Sequence, residues 1–196
     1  NVVLLPREIS SNDRQTVSIM KYKDSSERYG LVTRVLHWGM AVLFAAQFAS
    51  AAAHWALPRE DALRQSLWSY HVTLGVTLFI LVLIRGVWGL LNLPARPAHS
   101  GLVGQAAIAG HVAIYALMII VPAVRLLAAA GSDRGLTYLG LTIFPPRETE
   151  IAWTQLPAEW HGEMGWLLAA LILGHIAMAT VWHHLIHRDG VLSRMA

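Results

Sequence analysis

Four long apolar stretches constrain the fold of this chain more than any other feature of its sequence. They run approximately over residues 30–57, 67–91, 104–130 and 161–186. A hydrocarbon core of ~30 Å takes roughly 20 helical residues, so each stretch is long enough to cross a bilayer. Because backbone groups in lipid must satisfy their own hydrogen bonds, each stretch should be an α-helix. The sequence therefore predicts an all-α, integral membrane four-helix bundle.

The composition agrees with a membrane protein and excludes several kinds of site. Of the 196 residues, 55% are hydrophobic and 14% are charged, a balance unlike that of a soluble domain. The chain has no cysteine, which excludes disulfides, iron–sulfur clusters and covalently attached haem within it. The net charge of +3 is spread over the ends of the apolar stretches and forms no basic stripe. We therefore expect lipid as a partner and no nucleic acid.

Lysine and arginine residues are unevenly divided between the two sides of the predicted bundle. The first and third connections contain four of them, whereas residues 1–34, the second connection and the tail contain nine: Arg7, Arg14, Lys21, Lys23, Arg28, Arg34, Arg96, Arg188 and Arg194. The positive-inside rule then places both termini in the cytoplasm. We call the cytoplasmic end of the bundle the inner end and the opposite end the outer end.

The parts of the chain outside the four stretches also lead to expectations. Residues 1–28 are polar and mixed in charge, which predicts an N-terminal extension, either a disordered tail or a docking segment for a partner. Residues 29–196 then form the transmembrane domain. Within it, residues 131–160 make a connection that is too long for a tight turn, and we expect it to cover the outer mouth of the bundle.

Histidines recur at two depths in the predicted bundle. His161 and His175 are fourteen residues apart, close to four helical turns, so they share one face about 21 Å apart along the axis. His71 falls at the outer level with His161, whereas His37 and His175 lie roughly 13 and 18 Å from the inner boundary. Ionisable side chains are costly inside a bilayer, and imidazole is an iron ligand. The pattern therefore predicts two b-type haems, held by His71 with His161 and by His37 with His175.

Small and basic residues near these histidines suit such a cofactor. Gly75 and Gly165 each follow an outer histidine by four residues, and a missing side chain one turn away leaves room for a flat macrocycle. Arg85 is expected at the depth of the inner haem, and Arg125 lies near the outer end of the third helix. A buried arginine needs an anionic partner, so each is a candidate to bind haem propionates.

Other interpretations of the histidines stay open. A histidine in a membrane helix often forms a hydrogen bond between helices, so a haem-free helical scaffold is one alternative. His54 and His111 are competing ligands. His54 is turned roughly 100° away from His37 on the same helix, and we leave it out of the ligand set. His111 lies at the inner level on the third helix, where packing or propionate binding is favoured over ligation.

Several strings of residues resemble the bacterial cytochrome b561 family. They are YGLVTRVLHW at 29–38, HVTLG at 71–75 followed by Arg85, Gly110 with His111, and WHH at 182–184 followed by RDGVL at 188–192. The resemblance covers most of the chain from about residue 28 to the end. It implies a four-helix protein with two non-covalent b haems, with His71 and His161 at the periplasmic haem and His37 and His175 at the cytoplasmic one.

The resemblance also implies a location and a reaction. Family members lie in the bacterial inner membrane and exchange electrons with ubiquinone, and one member oxidises periplasmic superoxide while reducing the quinone. His183, with His184 at the inner boundary, is then a candidate for the quinone site, since histidine with a pKa of ~6.5 can hydrogen-bond a quinone carbonyl and relay a proton. The alternative is that these residues anchor the helix in anionic headgroups.

The predicted outer connections depart from what a superoxide donor requires. They contain four basic residues against six acidic ones, Glu60, Asp61, Asp133, Glu148, Glu150 and Glu159. A net negative surface repels superoxide and attracts a basic partner such as a soluble cytochrome. Two haem-based functions therefore remain open: a stand-alone superoxide or quinol oxidoreductase, and a non-catalytic cytochrome b subunit that anchors a larger redox complex and relays its electrons.

Overall fold

The computed structural model describes residues 22–95, 101–188 and 190–195, and its helices form four spans. Helix α1 (Leu31–Ala56) is the first span, α2 (Ala62–Ser69) and α3 (His71–Leu91) form the second, and α4 (Gly101–Ala130) is the third. The fourth contains the short helix α5 (Ala152–Gln155), a 3-10 segment (Leu156–Trp160), α6 (His161–Ala177) and a π-helical segment (Met178–His187). All four spans are long and apolar enough to cross a membrane. The predicted all-α membrane bundle is confirmed.

The bounds of the second, third and fourth spans differ from the prediction, and the fourth span begins at Ala152 rather than at residue 161. The second span begins at Ala62 rather than at residue 67, because the side chain of Asp61 accepts hydrogen bonds from the backbone N–H groups of Leu63 and Arg64 at 2.8 and 3.1 Å and caps the helix. Helix α4 begins at Gly101 rather than at residue 104. The fourth span does not stay α-helical to its end, since its last ten residues form the π-helix.

The connection between α4 and the fourth span contains a β-hairpin that the sequence analysis did not predict. Strands β1 (Leu136–Tyr138) and β2 (Leu141–Phe144) pair antiparallel. The two residues between them, Leu139 and Gly140, have φ angles of 49° and 83°, as a type I′ hairpin turn requires. The 3-10 turns Leu93–Ala95 and Leu192–Arg194 are the remaining short elements.

A small apolar core lies midway between the two histidine levels. Its members are Met40, Leu78, Val82, Met118 and Leu168, contributed by all four spans. Leu168 follows His161 by seven residues and precedes His175 by seven, so it lies halfway along the axis between them. Most other large apolar side chains of the spans are exposed, including Trp55 at 80% and Leu102 at 84%. Such a surface suits contact with lipid.

The two ends of the described chain meet at the inner end of the bundle. The backbone N–H of Tyr29 donates to the carbonyl of Arg194 at 3.2 Å, and Trp38 Nε1 donates to the carbonyl of Met195 at 2.9 Å. Asp24 is buried and accepts hydrogen bonds from the Gly30 N–H and the Thr33 hydroxyl. Residues 22–28, assigned above to the extension, therefore pack on the bundle, and residues 1–21 lie outside the described residues.

Candidate functional site

The outer histidines, His71 and His161, face each other across the bundle. His71 is the first residue of α3 and His161 the first residue of α6. Their ring centres are 6.3 Å apart and their planes cross at 76°. A metal ion lies about 2 Å from the nitrogen of a bound imidazole, so two rings on opposite sides of one ion have centres about 6 Å apart. The outer pair therefore has the separation that axial ligands of one iron need.

Hydrogen bonds fix the protonation of both outer rings. The carbonyl of Val121 can only accept, so Nδ1 of His161 donates to it at 2.9 Å. Ser50 donates its proton to the carbonyl of Gln47 at 2.7 Å, so at 2.8 Å its oxygen accepts from Nδ1 of His71. In the neutral form, both rings then carry their proton on Nδ1 and have a lone pair on Nε2. A hydrogen bond from the ring nitrogen that does not bind the metal orients a histidine ligand and raises its basicity.

A cavity of about 410 Å³ opens beside the outer pair, within the size range of cofactor sites. Gly75 and Gly165 line it, and a Cβ atom at Gly165 would meet no atom within 4 Å. The amide of Gln47 also reaches into this region, where its nitrogen lies 3.1 Å from Nε2 of His71. Its buried oxygen has no hydrogen-bond partner among the described residues. The space beside the rings thus fits a flat group, and the Gln47 amide would have to move when such a group binds.

An aromatic column extends from His71 toward the outer end of the bundle. The ring of Trp68 stacks on His71 with centres 4.4 Å apart and on His54 with centres 3.7 Å apart. Arg64 donates to Nδ1 of His54 at 3.3 Å. His54, which its angular position on the helix excludes from the ligand set, lies against Trp68 instead of across from another histidine.

The inner pair, His37 and His175, has the same separation but different partners. The ring centres are 6.3 Å apart and the planes cross at 80°. A guanidinium nitrogen of Arg85 lies 3.0 Å from Nδ1 of His37. Because a guanidinium only donates, Nδ1 of His37 accepts this bond, and in a neutral ring the proton is then on Nε2. The sequence analysis predicted that Arg85 reaches the inner level, and it lies there.

Three other residues singled out from the sequence have the following places in the structure. The ring of His111 is 5.0 Å from that of His175, and its Nδ1 donates to the carbonyl of Ala107 at 2.6 Å. Arg125 is exposed on α4, four residues beyond Val121, whose carbonyl accepts from His161. His183 is half-buried in the π-helix that ends the fourth span. Among the described residues, no group of three or more histidine, aspartate or glutamate side chains is arranged to hold a metal ion.

Several supporting residues were missed by the sequence analysis. Gln47 and Ser50 bind His71, and Trp68 stacks on it. One signal was available, because Gln47, Ser50 and His54 are spaced by three and four residues and so form one polar face on an otherwise apolar helix. The acceptor for His161, a backbone carbonyl, has no signature in the sequence.

The fold and the two ring pairs define a class of protein, a multi-span membrane protein whose helices present histidines in facing pairs. The profile of the prokaryotic cytochrome b561 family matches residues 28–196, and the chain belongs to this family. It is also 26% identical over 179 residues to Cytochrome b561 homolog 2 of Escherichia coli (strain K12). The aligned residues cover 90% of this chain and 95% of that protein.

The family assignment establishes the general function of the chain. Prokaryotic cytochromes b561 transfer electrons across a membrane by means of b haems. With its four spans, this chain is a multi-pass bacterial membrane protein in contact with lipid. The facing histidines, the adjacent cavity and the arginines near both pairs fit a haem that two histidines would hold.

Proposed function

We propose that the chain holds two b haems and carries electrons between a periplasmic donor and ubiquinone in the bacterial inner membrane. The observation that carries this proposal is the repetition of one geometry at two depths. Both histidine pairs have ring centres 6.3 Å apart, with planes crossing at 76° and 80°. Fourteen residues separate the levels on the fourth span, or about 21 Å along a helix. With one haem at each level, the path of an electron across the membrane would be divided into short transfer steps.

In this proposal each haem has a defined set of protein groups. His71 and His161 hold the outer haem through Nε2, and His37 and His175 hold the inner one. Arg85 and Arg125 bind propionates, because a fixed cation inside a membrane is stabilised by a carboxylate. When bound, haem supplies one-electron redox chemistry, and the chain sets the ligation, the burial and the access of solvent.

The quinone site is proposed at the inner end, beside the π-helix. His183 lies eight residues after His175 toward the inner end, within the π-helix. π-Helical segments frequently occur at functional sites, and a neutral imidazole can donate to a quinone carbonyl and relay a proton. With superoxide as donor the reaction balances as two superoxide ions, one quinone and two protons giving two oxygen molecules and one quinol.

A second function is favoured by the charge of the outer connections. With both termini in the cytoplasm, six carboxylates and four basic residues lie at the outer mouth. This surface would attract a basic protein more readily than it would attract superoxide. The alternative proposal is therefore a non-catalytic cytochrome b subunit, which anchors a larger redox complex and passes its electrons to the quinone pool.

One experiment separates these proposals. The purified chain is reconstituted in vesicles with ubiquinone and supplied with superoxide, and quinol is measured beside the haem content. A stand-alone oxidoreductase should reduce the quinone at a rate that depends on the chain. A subunit should show little activity alone and should co-purify with other proteins from its native membrane. A reduced-minus-oxidised spectrum without a b-type α band would contradict both.

The quinone site is tested by the variant His183→Ala. Quinone reduction should slow while the haem content stays the same, because His183 is proposed to contact quinone and not iron. His187→Ala is the matched control, since His187 lies on the same π-helix with its ring against Trp182, 4.6 Å between centres. An unchanged rate in His183→Ala, or equal slowing in both variants, would remove His183 from the site.

A further inference from the structure

The β-hairpin at the outer end has an unusual composition for a connection outside a membrane. Its twelve residues 135–146 include no charged side chain, whereas Arg134 and Arg147 stand directly on either side. Apolar segments bracketed by arginines are typical of chain that dips into a bilayer, since the arginines can stay among the headgroups. The hairpin therefore differs from the acidic stretches that surround it.

Contacts at both ends of the hairpin show which way it points. At its base, Arg147 donates through its backbone N–H to the carbonyl of Ser132 and through Nε to the carbonyl of Ala130. These contacts tie the base to the outer end of α4. At the other end, the hydroxyl of Tyr138 lies 3.0 Å from the hydroxyl of Thr77 on α3. Since Thr77 donates its proton to the carbonyl of Thr73, Tyr138 is the donor.

The depths of these contacts follow from the helices. Val121 is level with the outer pair, because its carbonyl accepts from His161. Ala130 lies nine residues beyond Val121 toward the outer end, or about 13 Å, and Thr77 lies six residues beyond His71 in the opposite direction, or about 9 Å. The hairpin therefore runs back along the bundle, toward the middle of the membrane. The tyrosine side chain spans part of this distance, so the backbone ends nearer to the level of the histidines.

The tip of the hairpin presents apolar side chains outward. Leu139, Leu141 and Ile143 are 73%, 68% and 46% exposed. Leu139 has a positive φ of 49° at a turn position where Asn, Asp or Gly is preferred. A bulky apolar residue thus occupies a position whose backbone disfavours it, which is expected if the side chain itself has a role.

We propose that this hairpin is a membrane anchor whose tip inserts Leu139, Leu141 and Ile143 into the lipid leaflet at the outer end of the bundle. Open strand edges are not tolerated in the hydrocarbon, so the backbone lies at the boundary with the headgroups and only the side chains reach the acyl chains. The Tyr138–Thr77 hydrogen bond holds the hairpin against α3. In this position it covers the bundle on the lipid side of the outer histidine level.

The natural absence of cysteine makes the test direct. Single-cysteine variants Leu139→Cys and Leu141→Cys are spin-labelled in the haem-loaded chain after reconstitution into vesicles. Collision with oxygen, which concentrates in lipid, is compared with collision with a water-soluble nickel chelate. Glu148→Cys is the control for water, because Glu148 is exposed just beyond the apolar segment. Val87→Cys is the control for lipid, since Val87 is 60% exposed on α3.

The proposal expects the oxygen-to-nickel ratio at 139 and 141 to lie well above that at 148 and to approach that at 87. A ratio equal to that at 148 would place the hairpin in water and overturn the proposal. Low accessibility to both reagents would mean that another protein surface covers the tip, and this outcome also overturns it. An unchanged haem spectrum shows that a labelled variant is folded. The use of two positions, one in the turn and one at the start of β2, guards against failure of a single variant.

Discussion

The outer and inner histidine pairs have the same ring separation but differ in how the protein prepares them. At the outer pair, both Nδ1 atoms donate to fixed acceptors, the Ser50 hydroxyl and the Val121 carbonyl. Both Nε2 atoms thus have a lone pair available for iron, although the Gln47 amide, 3.1 Å from Nε2 of His71, has to move aside first. At the inner pair, Nδ1 of His37 accepts from Arg85, so in a neutral ring Nε2 carries the proton. His37 can bind iron through Nε2 only after this contact is lost.

This difference separates two ways of building a haem site. At the outer site the hydrogen bonds of both Nδ1 atoms persist when a ligand binds, and only the neutral Gln47 amide has to move away from Nε2 of His71. The inner site requires Arg85 to release His37, and a haem propionate offers the guanidinium a stronger, charged acceptor. We therefore expect the inner haem to depend on Arg85 and the outer haem to depend on space and on Ser50.

The largest effect is expected from filling the space beside the outer pair. Gly165→Leu places a side chain in the cavity, where a Cβ atom now meets no neighbour within 4 Å. The variant should lose the outer haem, so that haem per chain falls from two to one in a pyridine haemochrome assay. Gly39→Leu is the matched control, because Gly39 is exposed on α1. Loss of haem in both variants would point to misfolding instead of exclusion.

A smaller and selective effect is expected at Arg85. Arg85→Leu removes the charged partner of a propionate, worth about 1.5–3 kcal/mol, so the inner haem should bind roughly 10- to 100-fold more weakly. Arg85→Lys keeps the charge and should recover part of the affinity. Titration of haem into haem-depleted protein measures both sites. Equal weakening of the outer haem would contradict the proposed assignment.

The smallest effect is expected at Ser50. Ser50→Ala removes the acceptor for Nδ1–H of His71 and lowers the basicity of that ring, which favours ferrous over ferric iron. A neutral hydrogen bond contributes about 0.5–1.5 kcal/mol, so the midpoint potential of the outer haem should rise by about 20–60 mV. Ser69→Ala is the control, since Ser69 donates to the carbonyl of Ser66 in the same manner and has no hydrogen bond with a histidine in the described part of the chain. A shift at the inner haem would be unexpected.

The sequence predicts the four spans and the two histidine levels well, because each of these features depends on residues within one segment of the chain. Hydropathy over about twenty residues is enough to locate a span, and the fourteen-residue spacing of His161 and His175 gives two levels on one helix. The levels of His37 and His71 follow from counting residues along antiparallel helices. These are properties of single segments, and packing changes them little.

Contacts between separate segments, and the irregular elements, could not be predicted from the sequence in the same way. The acceptor of His161 is a backbone carbonyl, which any residue could provide. The contact of Arg85 with His37 depends on the rotation of two helices about their axes. The hairpin contains only seven strand residues, and its register depends on the turn at Leu139 and Gly140, where a leucine does not carry the usual Asn-Gly signature. The π-helix likewise has no marker in its composition.

The pairing of the four histidines is the central claim, and haem stoichiometry in double variants tests it most directly. His71→Ala with His161→Ala removes both ligands of one site and should leave one haem per chain. His71→Ala with His175→Ala removes one ligand from each site and should leave none. If the first pair of substitutions abolished all haem while the second retained one, the histidines would be paired differently, and the two-level arrangement would be wrong.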